Sequence, residues 1–553
     1  MISQMNVMVS MRDGVELSVD VFRPDNDEAC PALVAMSPYG KEIQTMPQAP
    51  QPVVSSVHRR SIEAGDPEFL TQHGYAHIIA DVRGMGKSGG SYRGWMSSEE
   101  GNDGYDLIEW VASQPWCDGM VGMVGVSYYG AVQLNVAATK PPSLKAIMPF
   151  NAPADFYRES THHGGILQTF FMVIYTRGSI GRSALLTREE MTSEEFDDLA
   201  IRLQADPDNA MYADMYSTVH NPDRLPAWFD VVAHPLDGPF YWERSPYRHY
   251  DKIEIPVYCG SAWWAYSHMH LRGAFQNYSG IDAPKKLQIL PRTQNEAPLG
   301  EDYNREVVRW YDHWLKGEET GIMDEPPINL YVTGDDKWRF EQEWPLARTE
   351  WTKLHLRRWQ SLSQEPEMVP DGPDNFVQQP PNETNEIHHV EYATAPLADD
   401  MEITGPVALK MYASIDADDA NWIVALEDVY PDGTAVELTR GFLKASHRAV
   451  DKDRSKPWEP WHPHLESEPV PPNEVINYDI SLTAMSNVFR RGHRIRLRIT
   501  GSDNPKNPGD DPQLGYAHRP WHVVRNETVL HRVHHEPAYP SHLLVPVIPR
   551  DQA

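Results

Sequence analysis

Apolar positions along this chain fall into two regimes. From the N-terminus to about residue 317, short continuous apolar runs alternate with helical patterns. Val15, Leu17, Val19 and Val21 share one face after an Asp13-Gly14 turn signal, which predicts an antiparallel ribbon over residues 5–22. The runs Ala32–Met36, Tyr75–Ala80, Met120–Val124, Lys145–Phe150, Ile255–Gly260 and Leu287–Leu290 read as strands buried on both faces. Between them, Asp103–Ser113 places Leu107, Ile108 and Val111 on one side of a helix, and Tyr129–Thr139 follows a Gly-bounded turn. Strands alternating with helices predict a parallel sheet covered on both sides. After Gly317 the pattern turns strand-like. Val407, Leu409 and Met411 alternate, as do Ile495, Leu497 and Ile499 against Arg494, Arg496 and Arg498, predicting an all-β sandwich.

Residues 151–249 break the first rhythm. They are rich in Met, Asp, Glu and His and carry helical stretches such as Arg188–Gln204. An insertion between two sheet strands would lie over their carboxyl ends as a cap. The predicted organisation is therefore a doubly wound α/β unit from residues 1–150 and 250–317, a helical cap over 151–249, and a jelly-roll-like all-β domain over 318–553.

Length and charge narrow the class. A chain of 553 residues exceeds one core and predicts two or three domains. Net charge is −30, from 79 acidic and 49 basic residues, which argues against nucleic acid or an anionic membrane as partner. The three cysteines, Cys30, Cys117 and Cys259, have no metal-ligand spacing and fit a reducing compartment. The N-terminus lacks a basic-then-apolar leader, and no apolar run approaches a membrane span, so the expectation is a soluble, cytoplasmic protein.

The sharpest chemical signal is Gly125-Val126-Ser127-Tyr128-Tyr129-Gly130, between an apolar strand and a helix. A serine on a tight strand-to-helix turn is held exposed at a helix N-terminus, where developing negative charge is favoured. The generic elbow has glycine two residues after the serine; here Tyr129 stands there and the glycine follows. Taken alone, the run also fits an ordinary turn that contains a serine.

Its surroundings are informative. Met11-Arg12-Asp13-Gly14-Val15, Ser37-Pro38-Tyr39-Gly40-Lys41, Asp81-Val82-Arg83-Gly84, Gln114-Pro115-Trp116, His163-Gly164-Gly165 and Trp310-Tyr311-Asp312-His313-Trp314-Leu315-Lys316-Gly317 occur in that order. Together with the elbow they resemble the cocaine esterase / α-amino-acid ester hydrolase / X-prolyl dipeptidyl-peptidase family, over nearly the whole chain. The resemblance implies an α/β-hydrolase fold with a helical cap and a C-terminal sandwich. It implies that Ser127 is the nucleophile, that the Tyr39 phenol donates to the oxyanion, and that the Tyr128 main-chain N–H is the second donor. It also implies a small acyl or carbonyl substrate, no cofactor, and an oligomeric assembly of unspecified number.

The same comparison predicts a degenerate triad. Counting back from Arg272-Gly273 puts Tyr266 at the acid position, and no Asp or Glu occurs from Pro256 to Ile281. Counting back from Asp312-His313 puts Ala297 at the base position, with Gln294 in an alternative alignment, and Tyr278–Asp312 contains no histidine. Three readings follow. A histidine is recruited from elsewhere, with His163, His268 and His270 as candidates; or Ser127 supports non-hydrolytic chemistry such as cyclisation, acyl transfer or C–C cleavage; or the protein binds a small molecule without turnover. Trp263 and Trp264 are expected at the pocket mouth. His462/His464 and His531/His534/His535/Glu536 lack the carboxylate-backed spacing of a metal site, so no metal is expected.

Overall fold

The computed structural model describes residues 1–44, 63–178, 180–263, 269–291, 301–380, 387–503 and 522–549. Strands β1 (Ile2–Ser10) and β2 (Glu16–Arg23) pair antiparallel across a turn in which Gly14 has φ 86° and the Asp13 carboxylate accepts the Val15 N–H. The apolar runs then supply β3 (Cys30–Ser37), β4 (Ala76–Asp81), β5 (Cys117–Met123) and β6 (Leu144–Ile147). A two-residue hairpin, β7 (His162–His163) and β8 (Ile166–Leu167), belongs to the cap. The sheet resumes with β9 (Val257–Ala262), β10 (Lys285–Leu290), β11 (Ile328–Val332) and β12 (Lys337–Glu341).

The spatial order is β1-β2-β4-β3-β5-β6-β9-β10-β11-β12, and every pairing from β4 to β11 is parallel. Alternate residues of one strand feed two cores. On β3, Ala32, Val34 and Met36 join the core under the helices Ser98–Ala112, Tyr128–Ala138 and Leu271–Gly280. Leu33 and Ala35 join the opposite core, with Val307, Trp310 and Tyr311 of the helix Glu301–Lys316. Burial on both faces explains the continuous apolar runs, each large side chain contributing about 1.5–3 kcal/mol.

The chain leaves β3 towards β4 and returns to β5 on the other side, so the strand order reverses between β3 and β5. A crevice opens at the carboxyl ends of strands at such a point. Tyr39 follows β3 there, and Ser127 follows β5.

Two expectations need correction. Residues 328–341, read as the start of the β-domain, instead complete the first sheet: Leu287 pairs with Ile328 in parallel register, and the β11–β12 hairpin covers that edge. Ile328 and Leu330 enter the first core, which an alternating pattern alone could not reveal. In the cap, the single helix expected over Arg188–Gln204 is two, Leu186–Glu190 and Ser193–Ala205. Met191 is extended (φ −124°, ψ 157°), and Thr192 caps the second helix reciprocally with Glu195.

The remaining strands form one eleven-stranded sheet with its own core around Trp422, Leu409, Ile480 and Leu497. The long strand Met401–Ile415 pairs with Ile476–Phe489 along one edge and with His542–Ile548 along the other, rolling the sheet shut. No helix among the described residues is long and apolar enough to cross a membrane.

Candidate active site

The elbow is built by close backbone approach. Ser127 has φ 62° and ψ −118°, a conformation an L-residue adopts at a cost of about 1–3 kcal/mol. Its N–H donates to the Phe150 carbonyl (2.9 Å), and its carbonyl accepts from Ala131 N–H (2.8 Å). The displaced glycine has the same cause. A Cβ on Gly130 would lie 2.5 Å from the Phe150 carbonyl oxygen, so glycine is required there. Tyr129, fully buried, packs its ring against Tyr39.

Ser127 Oγ lies 3.1 Å from Nε2 of His270. His270 is buried and immediately precedes the helix Leu271–Gly280 after β9. Serine hydroxyl and imidazole are thus within proton-transfer distance. Of the three candidate histidines, His270 is the one seen at the nucleophile. His163 is engaged elsewhere: Nε2–H donates to the Glu159 carbonyl (3.0 Å), and Nδ1 meets His522 Nε2 (2.9 Å). The Asp503 carboxylate backs His522 at Nδ1 (2.8 Å). Burial holds the His163 imidazole down to about 3, so it is neutral at physiological pH. His268, Trp264, Tyr266, Gln294 and Ala297 lie outside the described residues. Trp263 is not at the Ser127 cavity. It is buried, its indole N–H donates to the Tyr331 carbonyl (2.5 Å), and it lines a hollow with Asp428, Tyr430 and Met485 of the β-domain. An aromatic residue after a strand reads the same at a pocket mouth and in a domain junction.

Tyr39 lines the same cavity as Ser127, with its phenol 3.1 Å from that of Tyr175. Burial pushes both phenols well above the ordinary tyrosine range, so each stays a hydrogen-bond donor. The loop carrying Tyr39 is pinned by groups that local sequence hid. Asp81 accepts Lys41 N–H (2.8 Å) and Lys87 N–H (3.1 Å), and the Lys41 ammonium pairs with buried Asp20 (3.0 Å). Arg83 grips Asp103 and Asp13.

Tyr128 opens the elbow helix. Its phenol donates to Glu100 (2.8 Å), accepts from Met96 N–H (2.8 Å), and meets Tyr92 (2.9 Å). Burial raises the Glu100 carboxyl to about 8. This cluster underlies the site and carries no motif in the sequence. The cavity itself is small, about 40 Å³, and is walled by Trp95, Phe156, Met172, Tyr175 and Met269 besides the reactive groups.

The histidine clusters considered for a metal are hydrogen-bonded internally. His462 contacts the Ala449 and Asp479 carbonyls, His464 contacts His447, and His534 contacts Ser414 and Glu536. No group of three such residues placed to hold a metal ion occurs among the described residues.

A strained serine at the switch point of a parallel sheet, under a cap and against an imidazole, defines an α/β-hydrolase of the serine type. Residues 13–293 match the X-Pro dipeptidyl-peptidase (S15) family, and residues 320–544 match the X-Pro dipeptidyl-peptidase C-terminal non-catalytic domain. The chain belongs to the X-Pro dipeptidyl-peptidase (S15) family of serine hydrolases and peptidases. It is 27% identical to the cocaine esterase of Rhodococcus sp. (strain MB1 Bresler), across 99% of this chain and 98% of that one. A CocE/NonD family hydrolase from Staphylococcus aureus shares the fold, with a TM-score of 0.80 at 23% identity over 99% of this chain and 93% of that one. So does an α-amino acid ester hydrolase, with a TM-score of 0.75 at 20% identity over 99% and 96%.

Proposed function

We propose that this chain is a serine esterase in which His270 has taken the role of general base, acting on esters with a small apolar acyl group. The observation that carries this reading is the 3.1 Å approach of His270 Nε2 to Ser127 Oγ on a strained elbow. Ser127 Oγ attacks the ester carbonyl as His270 takes its proton. The Tyr39 phenol and the Tyr128 main-chain N–H receive the oxyanion, each worth roughly 3 kcal/mol. His270 then returns the proton to the leaving alkoxide, and water completes the cycle by the same base. The non-hydrolytic alternative uses Ser127 and the oxyanion hole without an attacking water, and the binding-only alternative needs no base; the His270 contact favours hydrolysis over both.

A cavity of about 40 Å³ walled by aromatic and methionine side chains favours an acetyl-sized acyl group. The cocaine esterase and X-Pro dipeptidyl-peptidase relatives suggest two leaving groups to compare, an alcohol and an amine. The test is fluorophosphonate labelling together with turnover of p-nitrophenyl acetate and of an Xaa-Pro p-nitroanilide. The expected result is rapid labelling lost in Ser127→Ala, and faster turnover of the acetate. Absence of labelling would overturn the assignment of His270 as base. Preferred cleavage of the anilide would overturn the ester assignment.

A further inference from the structure

A second cleft lies outside the Ser127 cavity. It encloses about 600 Å³ where the helix Leu271–Gly280, the cap and the β-domain meet, and it shares no lining residue with the cavity around Ser127. That volume is in the range of small-molecule sites, which favour domain junctions.

Its chemistry runs against the rest of the chain. Three guanidinium groups surround the Trp461 indole, with their central carbons 3.7 Å (Arg454), 4.4 Å (Arg158) and 5.8 Å (Arg272) from the ring centroid. Arg158 is neutralised by Asp155 and Asp237, at 2.8 Å each, and is a structural clamp. The side chains of Arg272 and Arg454 make no ion pair or hydrogen bond among the described residues, and neither does that of Lys456, which also lines the cleft. Glu459 is the one carboxylate among the lining residues. Converging like charges repel one another, and the energy falls when an anion sits between them. In a chain of net charge −30, that makes the cleft a local sink for anions.

The walls add shape. Phe275 stacks on Trp344 (4.3 Å, 20°), and Trp458 stacks on Trp351 (4.5 Å, 9°), so aromatic faces lining the cleft are held by a second ring behind them. Rigid rings with guanidinium groups at one end recognise a flat apolar body with a charged head.

We propose that this cleft is a second binding site, for a planar aromatic molecule bearing a carboxylate or phosphate group, with Arg272, Arg454 and Lys456 receiving the head. The test is titration calorimetry on the full-length protein with 1-naphthoate, 1-naphthyl phosphate and the cationic 1-naphthylmethylamine. One anion should bind with unit stoichiometry, more weakly as salt rises, and the amine should not. The tighter anion identifies the head group. Arg272→Gln, and separately the surface pair Arg454→Gln/Lys456→Gln, should each weaken anion binding roughly ten-fold or more. Ser127→Ala should leave it unchanged, which separates this site from the Ser127 cavity. Equal binding of amine and anion, no binding of either anion at millimolar concentration, or full affinity in both arginine variants would overturn the proposal.

Discussion

His270 shares a cavity with Phe156 and Ser160, and His163 bonds Glu159 of the same segment, yet they face different partners. His163 stands in a chain that looks more like a catalytic relay: Asp503 backs His522, which meets His163. That chain ends on the Glu159 carbonyl, a group with no proton to give. His270 ends on the Ser127 hydroxyl. The pairing of a carboxylate with an imidazole therefore does not mark a catalytic site; what the far nitrogen faces decides. The His163 chain also has another use. It joins the cap to the β-domain, with the His163 and Phe442 rings 5.3 Å apart.

Substitutions at the two histidines are the sharpest way to break this comparison. Ser127→Ala should lower kcat/KM by about 10⁴-fold or more. His270→Gln should cost about 10³- to 10⁴-fold, mainly in kcat, while His163→Gln stays within about 3-fold of the parent. Steady-state kinetics on p-nitrophenyl acetate, with circular dichroism to verify folding, reads this directly. Equal losses at the two histidines would sink the distinction. A smaller effect is expected at the oxyanion: Tyr39→Phe should lower kcat by about 10²- to 10³-fold with little change in KM. Tyr175→Phe, which removes only the neighbouring phenol, should cost less than about ten-fold. If Tyr175→Phe proves the more damaging, the donor has been misassigned.

Stability should move the other way. Gly164 has φ 57°, and a Cβ there would overlap the Phe442 carbonyl, while its own carbonyl accepts from Lys444 N–H (2.8 Å). Gly164→Ala should cost about 2 kcal/mol or more in urea unfolding, combining positive φ with a backbone clash. The cap–sandwich seam, rather than the elbow, is expected to fail. Retained stability would mean that the hairpin re-docks at no cost.

Local pattern revealed the elbow, the Tyr39 loop and most sheet strands, because each is determined within about ten residues. It did not reveal which sheet residues 328–341 join, since an alternating strand carries no record of its partner. It could nominate His270 without preferring it to His163. The two differ only in what they meet, and Ser127 is 143 positions from His270. Glu100, Tyr92 and Tyr175 carried no signal at all: their importance comes from burial around the elbow, which has no local signature. Trp263 went to the wrong place for a related reason, because burial in a junction and burial at a pocket mouth select the same residue type.

The last expected effects concern pH, and they separate the two regions again. Glu100, beneath the elbow, has a carboxyl raised by burial to about 8. Between the ordinary carboxylate range and pH 8 the folded chain therefore holds a proton that the unfolded chain has lost. Stability from this group falls as pH rises through that window, by at most about 1.4 kcal/mol per pH unit. His163 has the opposite sign. Its folded value of about 3 lies below its ordinary value of 6.5, so the unfolded chain binds the extra proton, and stability is lost as pH falls below about 6.5. Glu100→Gln keeps an acceptor for the Tyr128 phenol and should flatten the alkaline limb of a plot of urea midpoint against pH. His163→Gln should lower the whole curve and flatten the acid limb. A Glu100→Gln curve that still declines from pH 5 to pH 8 with the parent slope would mean that the Tyr128 phenol and the Ser97 N–H already hold Glu100 ionised. The elbow would then rest on a buried charge rather than on a neutral hydrogen bond.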